Sequence, residues 1–330
     1  MNKGLNKGLF IALIAYQGCV SPGNSPRENN VTDTIPDGSV LMIDTASIAA
    51  DSAADLIRYG KALMLSTARY IGPEGSNGRY TRSYMNCTNC HQNAGTKQYS
   101  FDLLAANSRY PQYRAREGRI LSLAERVNNC MMRPLNGDSL SHDTKEMKAL
   151  LAYLKWLDKQ VPEDKKKEAG QSINISFMNR PADPDRGAAI YSSRCARCHG
   201  TNGEGMLVPG ATSYTYPRLW GDSSYQPGSS MHRVIKLARW LKANMPQDSA
   251  KWYKPVLTDD ECLDVSAFVN DDRIHKRPSP ASFDYPHPDK KPIDYGRGPF
   301  VDTFSALQHK FGPYQPIIDY WKAKGLKPSY

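Results

Sequence analysis

Apolar residues recur at helical spacing in five segments of the chain, and each segment predicts a helix. The segments are 51–71, 143–159, 183–195, 233–247 and 258–270. The apolar positions of the first segment include Leu56, Leu63 and Ile71. One apolar face of the second segment is formed by Met147, Leu150, Leu151, Leu154 and Leu157. An entering helix, a long loop and a closing helix therefore occur twice along the chain.

The two closing helices carry start signals. Thr258 and Glu261 have the three-residue spacing of a capping box at the start of the last segment. Asp143 and Glu146 have the same spacing at the start of 143–159. In a capping box the two side chains bond free backbone N–H groups of the first turn. We therefore expect the two helices to begin at these residues.

A CxxCH motif lies between the helices of each pair, CTNCH at 87–91 and CARCH at 195–199. A redox disulfide or half of a zinc site would also need two cysteines at this spacing. Two copies, each followed directly by histidine, instead match the attachment pattern of heme c. The sequence predicts two covalently bound heme c groups with iron ligated by His91 and His199. The attaching thiols are those of Cys87, Cys90, Cys195 and Cys198.

The second domain offers a sixth iron ligand in Met245, which ends a helical segment and precedes Pro246. A methionine in a loop ahead of the closing helix is the usual distal ligand of electron-transfer cytochromes c. Met231, Met206 and His232 are the alternatives. Buried methionines more often fill cores than bind iron. The position and the following proline favour Met245.

The first domain has no Met-Pro pair in the corresponding position. Between His91 and the closing helix lie Cys130, Met131 and Met132, and His142 stands close to the helix start. Four of the seven cysteines belong to the CxxCH motifs, which leaves Cys19, Cys130 and Cys262. A disulfide between Cys130 and Cys262 would have to join two domains. A buried, inert Cys262 is the simpler interpretation.

Three stretches of the first domain, GRYTRSYMNCTNCHQNAG, YPQYRAREGRILSLAERVNNCMMRPLNG and EMKALLAYLKWL, resemble the diheme thiosulfate dehydrogenase family. The related SoxA-type cytochromes share this first-domain pattern. The resemblance continues through CARCHGTNGEG, PRLWGDSSY and KANMP, and spans roughly residues 50 to 272. SoxA-type proteins generally place a cysteine on their heme iron. Met245 in the second domain therefore favours the thiosulfate dehydrogenase branch.

The resemblance implies that His91 and Cys130 are the axial ligands of the first heme, at the active site. It also implies that Arg116 and Arg126 lie beside the substrate, next to a catalytic Cys130. Some family members carry a lysine before the methionine that switches onto the second iron. Asn244 occupies that position here, so we predict no such switch.

The arginines have a structural alternative. From spacing alone, Arg116 and Arg126 fit partners of heme propionates or surface salt bridges better than substrate ligands. Arg119 and Arg133 are further candidates for binding the substrate, and Lys97 or Gln98 for lining the cleft.

The N-terminal residues predict export. Two lysines precede an apolar run from Leu9 to Ala15 that is too short to span a bilayer. Cys19 follows as an acylation site, which predicts a periplasmic lipoprotein anchored to a membrane; simple cleavage near Gly18 is the alternative. The net charge of +10 and pI near 9.1 favour an acidic surface or a small anion as partner. Lysines are dispersed, and no zinc-finger, helix-turn-helix or RNP pattern is present, so we expect no nucleic-acid partner.

The predicted organisation has six parts. A signal peptide at 1–19 and a tether at 20–45 precede cytochrome c domain 1 at 46–160. A charged, solvated linker at 161–175 leads to cytochrome c domain 2 at 176–275. A Pro- and Tyr-rich extension at 276–330 is expected to lie across both domains as an irregular strap with a short helix near IIDYWKAKG. The fold class is mainly α, with two cytochrome c-type heme domains in tandem and a long irregular C-terminal extension.

Three functions compete. The resemblance implies an enzyme that oxidises thiosulfate, or a similar sulfur anion, to tetrathionate. Electrons would pass from a His/Cys heme to a His/Met heme and on to an external acceptor such as another cytochrome c. The direction of this reaction stays open. The alternatives are a membrane-tethered electron carrier without its own substrate, and a SoxA-like sulfur-oxidation subunit that needs a partner chain.

Overall fold

Helices make up most of the regular structure, as the sequence predicts. The computed structural model describes residues 1, 43–208, 210, 212–278 and 284–330. The α-helices of this part are α1 Asp55–Leu65, α2 Thr67–Ile71, α3 Gln92–Gly95, α4 Leu123–Met132, α5 Lys145–Gln160, α6 Pro184–Arg194, α7 Ala196–His199, α8 Val234–Asn244, α9 Asp259–Val269, α10 Ala306–Phe311 and α11 Gln315–Ala323. None of the helices in these ranges is long and apolar enough to cross a membrane.

Two short antiparallel hairpins complete the regular structure of the described ranges. In the first domain β1 Gln112–Arg114 pairs with β2 Arg119–Leu121. In the second domain β3 Met206–Leu207 pairs with β4 Tyr214–Tyr216. Pro36–Tyr330 form one compact unit. Both heme-motif domains and the extension therefore pack against one another.

The first domain is built on a close crossing of α1 and α5. Gly60 lies at the crossing, where a side chain would overlap the carbonyl group of Ala149 and lie 2.7 Å from Cβ of Tyr153. Leu63, Met147 and Leu157 are fully buried around it. A glycine facing an aromatic residue thus lets the entering and closing helices approach closely.

The second domain repeats this arrangement with α6 and α9. Gly187 lies where a side chain would overlap the carbonyl group of Asp264 and lie 2.7 Å from Cβ of Phe268. Asp183 caps α6 by accepting from the N–H groups of Asp185 and Arg186. The two domains therefore share one construction, which confirms the predicted repeat of an entering and a closing helix.

The predicted helix boundaries were partly wrong. Segment 51–71 is divided between α1 and α2, and Leu56 is 36% exposed instead of lying on the buried face. Helix α5 is capped by Thr144, which accepts from the N–H of Met147, and not by Asp143. Thr144 is the cap because it lies one residue closer to the helix than Asp143, and its hydroxyl reaches a free N–H of the first turn. The capping box of Thr258 and Glu261 at α9 is confirmed.

The linker is more closely packed than its charge suggests. Val161 and Ala169 are buried against Leu104 and Ala105 of the first domain. The N–H of Gly170 donates to the Asp102 carboxylate at 2.7 Å. The expectation of a solvated connection was therefore wrong for these apolar positions, although the linker still exposes Pro162 and Lys167.

The extension contacts both domains, as expected, but it is less irregular than predicted. Two helices, α10 and α11, pack on α8 and α9 of the second domain. The predicted helix near IIDYWKAKG corresponds to α11. Asp284 reaches the first domain and forms salt bridges with Arg116 and Arg133. The predicted signal peptide, its Cys19 and nearly all of the tether lie outside the described residues.

Replacing Gly60 by alanine is expected to destabilise the protein by about 1–3 kcal/mol, because the new methyl group overlaps backbone of α5. Urea denaturation followed by circular dichroism measures the loss. Gly298→Ala is the control, since its methyl group would meet no atom closer than 3.7 Å. Equal stabilities of the two variants would contradict the role of the crossing.

Candidate functional site

The first CxxCH motif folds as a short 3-10 helix, Cys87–Asn89, followed by His91. The Nδ1 atom of His91 lies 2.5 Å from the carbonyl oxygen of Phe101. If Nδ1 carries the proton and donates it there, Nε2 keeps its lone pair for a metal. The thiols of Cys87 and Cys90 are free. These are the states that heme attachment and proximal ligation require.

The second motif forms α7 and has the same geometry. The Nδ1 atom of His199 lies 2.8 Å from the carbonyl oxygen of Pro217, and Cys195 and Cys198 carry free thiols. Burial lowers the pKa of His199, which keeps the imidazole neutral. A neutral imidazole held through Nδ1 is a ready iron ligand. The residues of both motifs therefore fit a c-type heme.

Cys130 lies on α4, a helix that the sequence pattern did not predict. Arg126 precedes it by one helical turn, and its Nη1 donates to the Cys130 sulfur at 3.0 Å. The His91 imidazole is a second hydrogen-bond neighbour of this thiol. Burial raises the pKa of Cys130, but the charge of Arg126 together with His91 lowers it to about 6. The guanidinium of Arg126 therefore favours the thiolate form of Cys130.

The attachment thiols nearby behave differently. Burial raises the pKa of Cys87 to about 11 and that of Cys90 to about 12. The negative charge of Cys130 also raises the pKa of both thiols. The structure therefore places one thiol of lowered pKa beside two thiols of raised pKa and a histidine. A heme with one histidine and one thiolate ligand needs this set of residues.

Arg116 lies in the turn between β1 and β2 and binds three partners. Its Nη1 donates to the Asp284 carboxylate at 2.9 Å and to the carbonyl of Gly228, and its Nη2 lies 3.4 Å from the Ser230 hydroxyl. The carboxylate of Asp284 is 1% exposed. These contacts match the ion-pair alternative for Arg116. Its contact with a substrate stays a prediction.

Arg133 shares the Asp284 carboxylate. Its Nη2 donates to Asp284 Oδ1 at 2.6 Å, and its Nη1 lies 3.7 Å from the Glu117 carboxylate. Glu117 also contributes its charge to the surroundings of Arg126. Three arginines and two acidic residues therefore form one charged cluster, which we call the arginine cluster: Arg116, Arg126, Arg133, Glu117 and Asp284.

The remaining candidates of the first domain are placed less favourably. Arg119 is mostly exposed and paired with Glu125. His142 is exposed, and Met131 is buried in the core. The Lys97 amine donates to the side chain of Gln92. Gln98 is buried.

In the second domain, Met245 caps α8 and packs on the same apolar cluster as Cys195. Met231 is buried and Met206 is 47% exposed. The imidazole of His232 is already engaged, because Nε2 lies 2.8 Å from Asp272 Oδ1 and 2.9 Å from the Lys310 amine. Iron ligation by Met245 stays a prediction.

Cys262 is fully buried on α9, and the six cysteines of the described ranges all carry free thiols. A disulfide between Cys130 and Cys262 is therefore not formed. Two helical domains with the same crossing, each around a CxxCH motif, define a diheme c-type cytochrome.

Comparison with known proteins agrees with this class. Residues 77–162 match the model of the SoxA/TsdA cytochrome c domain, and residues 184–271 match the cytochrome c model. The thiosulfate dehydrogenase of Stutzerimonas stutzeri is 32% identical over 231 residues, 70% of each chain. That of Allochromatium vinosum is 32% identical over 248 residues, 74% of this chain and 86% of the relative.

A solved structure is also similar. Thiosulfate dehydrogenase (TsdBA) from Marichromatium purpuratum superimposes with a TM-score of 0.65 at 28% identity and covers 80% of this chain. This chain spans 55% of the length of that one. The protein belongs to the thiosulfate dehydrogenase family and is an oxidoreductase.

Helix α4 and the role of Asp284 were not predicted from the sequence. Helix α4 could have been found, because Ser122 and Glu125 form a capping box directly before it. Asp284 has no comparable local signal. It lies 168 residues from Arg116 and 151 residues from Arg133 along the chain. Only folding brings these charges together.

Replacing Asp284 by asparagine is expected to destabilise the protein by about 3–5 kcal/mol, because two largely buried arginines lose their shared counter-charge. Denaturant titration gives this loss directly. Asp138→Asn is the matched control: it breaks an exposed salt bridge to Arg82 and should cost less than about 1 kcal/mol. Similar losses in both variants would mean that Asp284 is not an essential counter-ion.

Proposed function

We propose that this protein is an exported diheme cytochrome c that oxidises thiosulfate to tetrathionate. The observation that carries the proposal is the contact of the Cys130 sulfur with the Arg126 guanidinium at 3.0 Å, beside His91. A plain electron carrier needs no such sulfur beside a guanidinium. Membership of the thiosulfate dehydrogenase family supports the same substrate.

We propose the following ligands. Cys87 and Cys90 attach the first heme, and Cys195 and Cys198 the second. His91 and Cys130 bind the first iron, and His199 and Met245 the second. The hemes supply one-electron acceptors, so two of them together can take the two electrons that the oxidation releases.

The proposed reaction joins two thiosulfate dianions at their sulfane sulfurs. One S–S bond forms, two electrons leave, and no proton is exchanged. The two anions repel each other, so the site must offset that charge. The Arg126 guanidinium is suited to this role, because it can fork onto sulfonate oxygens while it lies against Cys130. The paired Arg116 contributes positive potential and holds the β1–β2 turn in place.

The two proposed sulfur ligands, Cys130 and Met245, would give the two heme groups different potentials. A thiolate such as Cys130 donates electrons strongly and lowers the potential of the iron that it binds. The thioether of Met245 raises the potential of its iron. Electrons are therefore expected to enter at the first domain and to leave from the second. An external acceptor, such as another cytochrome c, takes them up. A high acceptor potential favours tetrathionate formation, and a low one favours its reduction.

Export belongs to the same proposal. The N-terminal apolar run and Cys19 support transfer to the periplasm and anchoring by a lipid. Heme c attachment and a soluble sulfur anion as substrate are compatible with that compartment.

Tetrathionate formation from thiosulfate, with ferricyanide as acceptor, tests the proposed function. We expect turnover that releases one tetrathionate for each two ferricyanide reduced. A purified protein that reduces and reoxidises at both hemes without turnover would instead be an electron carrier. A requirement for a second protein chain would point to a SoxA-like subunit.

Replacing Cys130 by methionine is expected to lower kcat by about 100-fold or more, because a neutral thioether replaces the negatively charged sulfur at the proposed catalytic position. The potential of the first heme should rise, because a thioether replaces a thiolate. Steady-state assays and a spectroelectrochemical titration measure both effects. Cys262→Ser, which changes a buried thiol on α9, serves as the control. Full activity of Cys130→Met would show that Cys130 is not needed for catalysis.

Replacing Arg126 by glutamine is expected to lower kcat/KM by about 10- to 160-fold, the equivalent of one charge-assisted hydrogen bond of about 1.5–3 kcal/mol. The same assay at several thiosulfate concentrations measures the loss. Arg119→Gln removes an exposed arginine seven residues earlier and should leave the kinetics unchanged. If both variants behave alike, Arg126 does not bind the substrate.

A further inference from the structure

One face of α8, in the second domain, contacts the heme-attachment segment of the first domain. Lys236, Trp240 and Asn244 are spaced by four residues, so they lie on the same side of the helix. All three reach segment 90–101, which begins with the last cysteine of the first motif. The Lys236 amine, for example, lies 5.2 Å from the centre of the Phe101 ring.

Trp240 makes the contact nearest to the motif. Its indole Nε1 donates to the carbonyl oxygen of Cys90 at 3.2 Å. The side chain is 5% exposed. A buried indole N–H needs an acceptor, and here the acceptor belongs to a residue proposed to carry the first heme.

Asn244 holds the loop that follows. It is fully buried, and its Nδ2 donates to the carbonyl oxygens of Tyr99 and Trp240, both at 2.9 Å. Tyr99 and Phe101 have φ values of 58° and 52°, a left-handed backbone that side chains disfavour. The bond to Asn244 stabilises this strained turn, whose Phe101 carbonyl lies 2.5 Å from Nδ1 of His91.

The same end of α8 leads to the second heme. Met245 follows Asn244 directly, and its N–H donates to the carbonyl oxygen of Leu241 at 2.8 Å. One helical turn therefore fixes both the loop that orients His91 and the residue proposed as distal ligand of the second iron.

We propose that Trp240 and Asn244 are positioning residues that hold the two heme segments at the geometry needed for electron transfer between them. The Trp240 hydrogen bond and one turn of α8 then connect Cys90 to Met245. In the step concerned, with both heme groups bound, one electron would pass from the group held by the first domain, which is oxidised, to the group held by the second, which is reduced. No bond breaks and no proton moves.

The inference rests on the proposed heme ligands, but not on thiosulfate as substrate. Flash photoreduction of the diheme protein, followed by absorbance at wavelengths that separate the hemes, measures electron redistribution without thiosulfate. Failure of the ferricyanide assay would thus leave this measurement intact.

Trp240→Phe keeps an aromatic ring and loses the N–H donor. We expect the inter-heme rate to fall by about 10- to 100-fold, a loss typical of misplaced reacting groups, while both midpoint potentials stay unchanged. Asn244→Ala should also lower the inter-heme rate. It serves as the test variant if Trp240→Phe does not accumulate with both hemes.

Trp321→Phe is the matched control. Trp321 is equally buried, and its Nε1 donates to Asp302 at 2.6 Å within the extension and away from segment 90–101. A normal rate in this control, together with a reduced rate in the α8 variants, supports the proposal. A rate within twofold of wild type in the α8 variants overturns it, and so does an equal loss in Trp321→Phe.

Discussion

The interaction between Cys130 and the Arg126 guanidinium is the constraint on which the rest of the proposed active site depends. A thiolate removed from water is unfavourable unless a cation stands beside it, and α4 supplies that cation one turn earlier. Two further arginines, Arg116 and Arg133, lie in the same cluster, and buried arginines need acidic partners. Glu117 and Asp284 are these partners. Arg116 and Arg133 are thereby neutralised in part, while Arg126 keeps its contact with the Cys130 sulfur.

The C-terminal extension contributes to this charge balance through Asp284. Asp284 comes from a part of the chain that otherwise packs on the second domain, yet its carboxylate is buried between arginines of the first. The extension is therefore part of the polar core around the proposed active site. Its helices α10 and α11 secure the segment by covering an apolar face of α8 and α9.

Helix α8 connects the two proposed heme sites through contacts of different kinds. Its apolar side packs into the second domain and against the extension, through residues such as Val234 and Ala238. Its Trp240 and Asn244 bind backbone carbonyls of the first domain. These bonds hold the loop that follows the first motif. The same loop carries the Phe101 carbonyl oxygen, which lies beside Nδ1 of His91. A shift of α8 would therefore move both the loop beside His91 and Met245.

The sequence by itself determined what depends on neighbouring residues. The two CxxCH motifs, the entering and closing helices and the capping box of α9 each follow from spacings of a few positions. Ser122 and Glu125 carry the same kind of local signal for the start of α4. Only the tertiary structure decided that Asp284 pairs with Arg116, that Trp240 bonds Cys90 and that Leu56 faces solvent. These depend on contacts between residues up to 168 positions apart, and no local pattern encodes which distant charge or carbonyl will meet a given side chain.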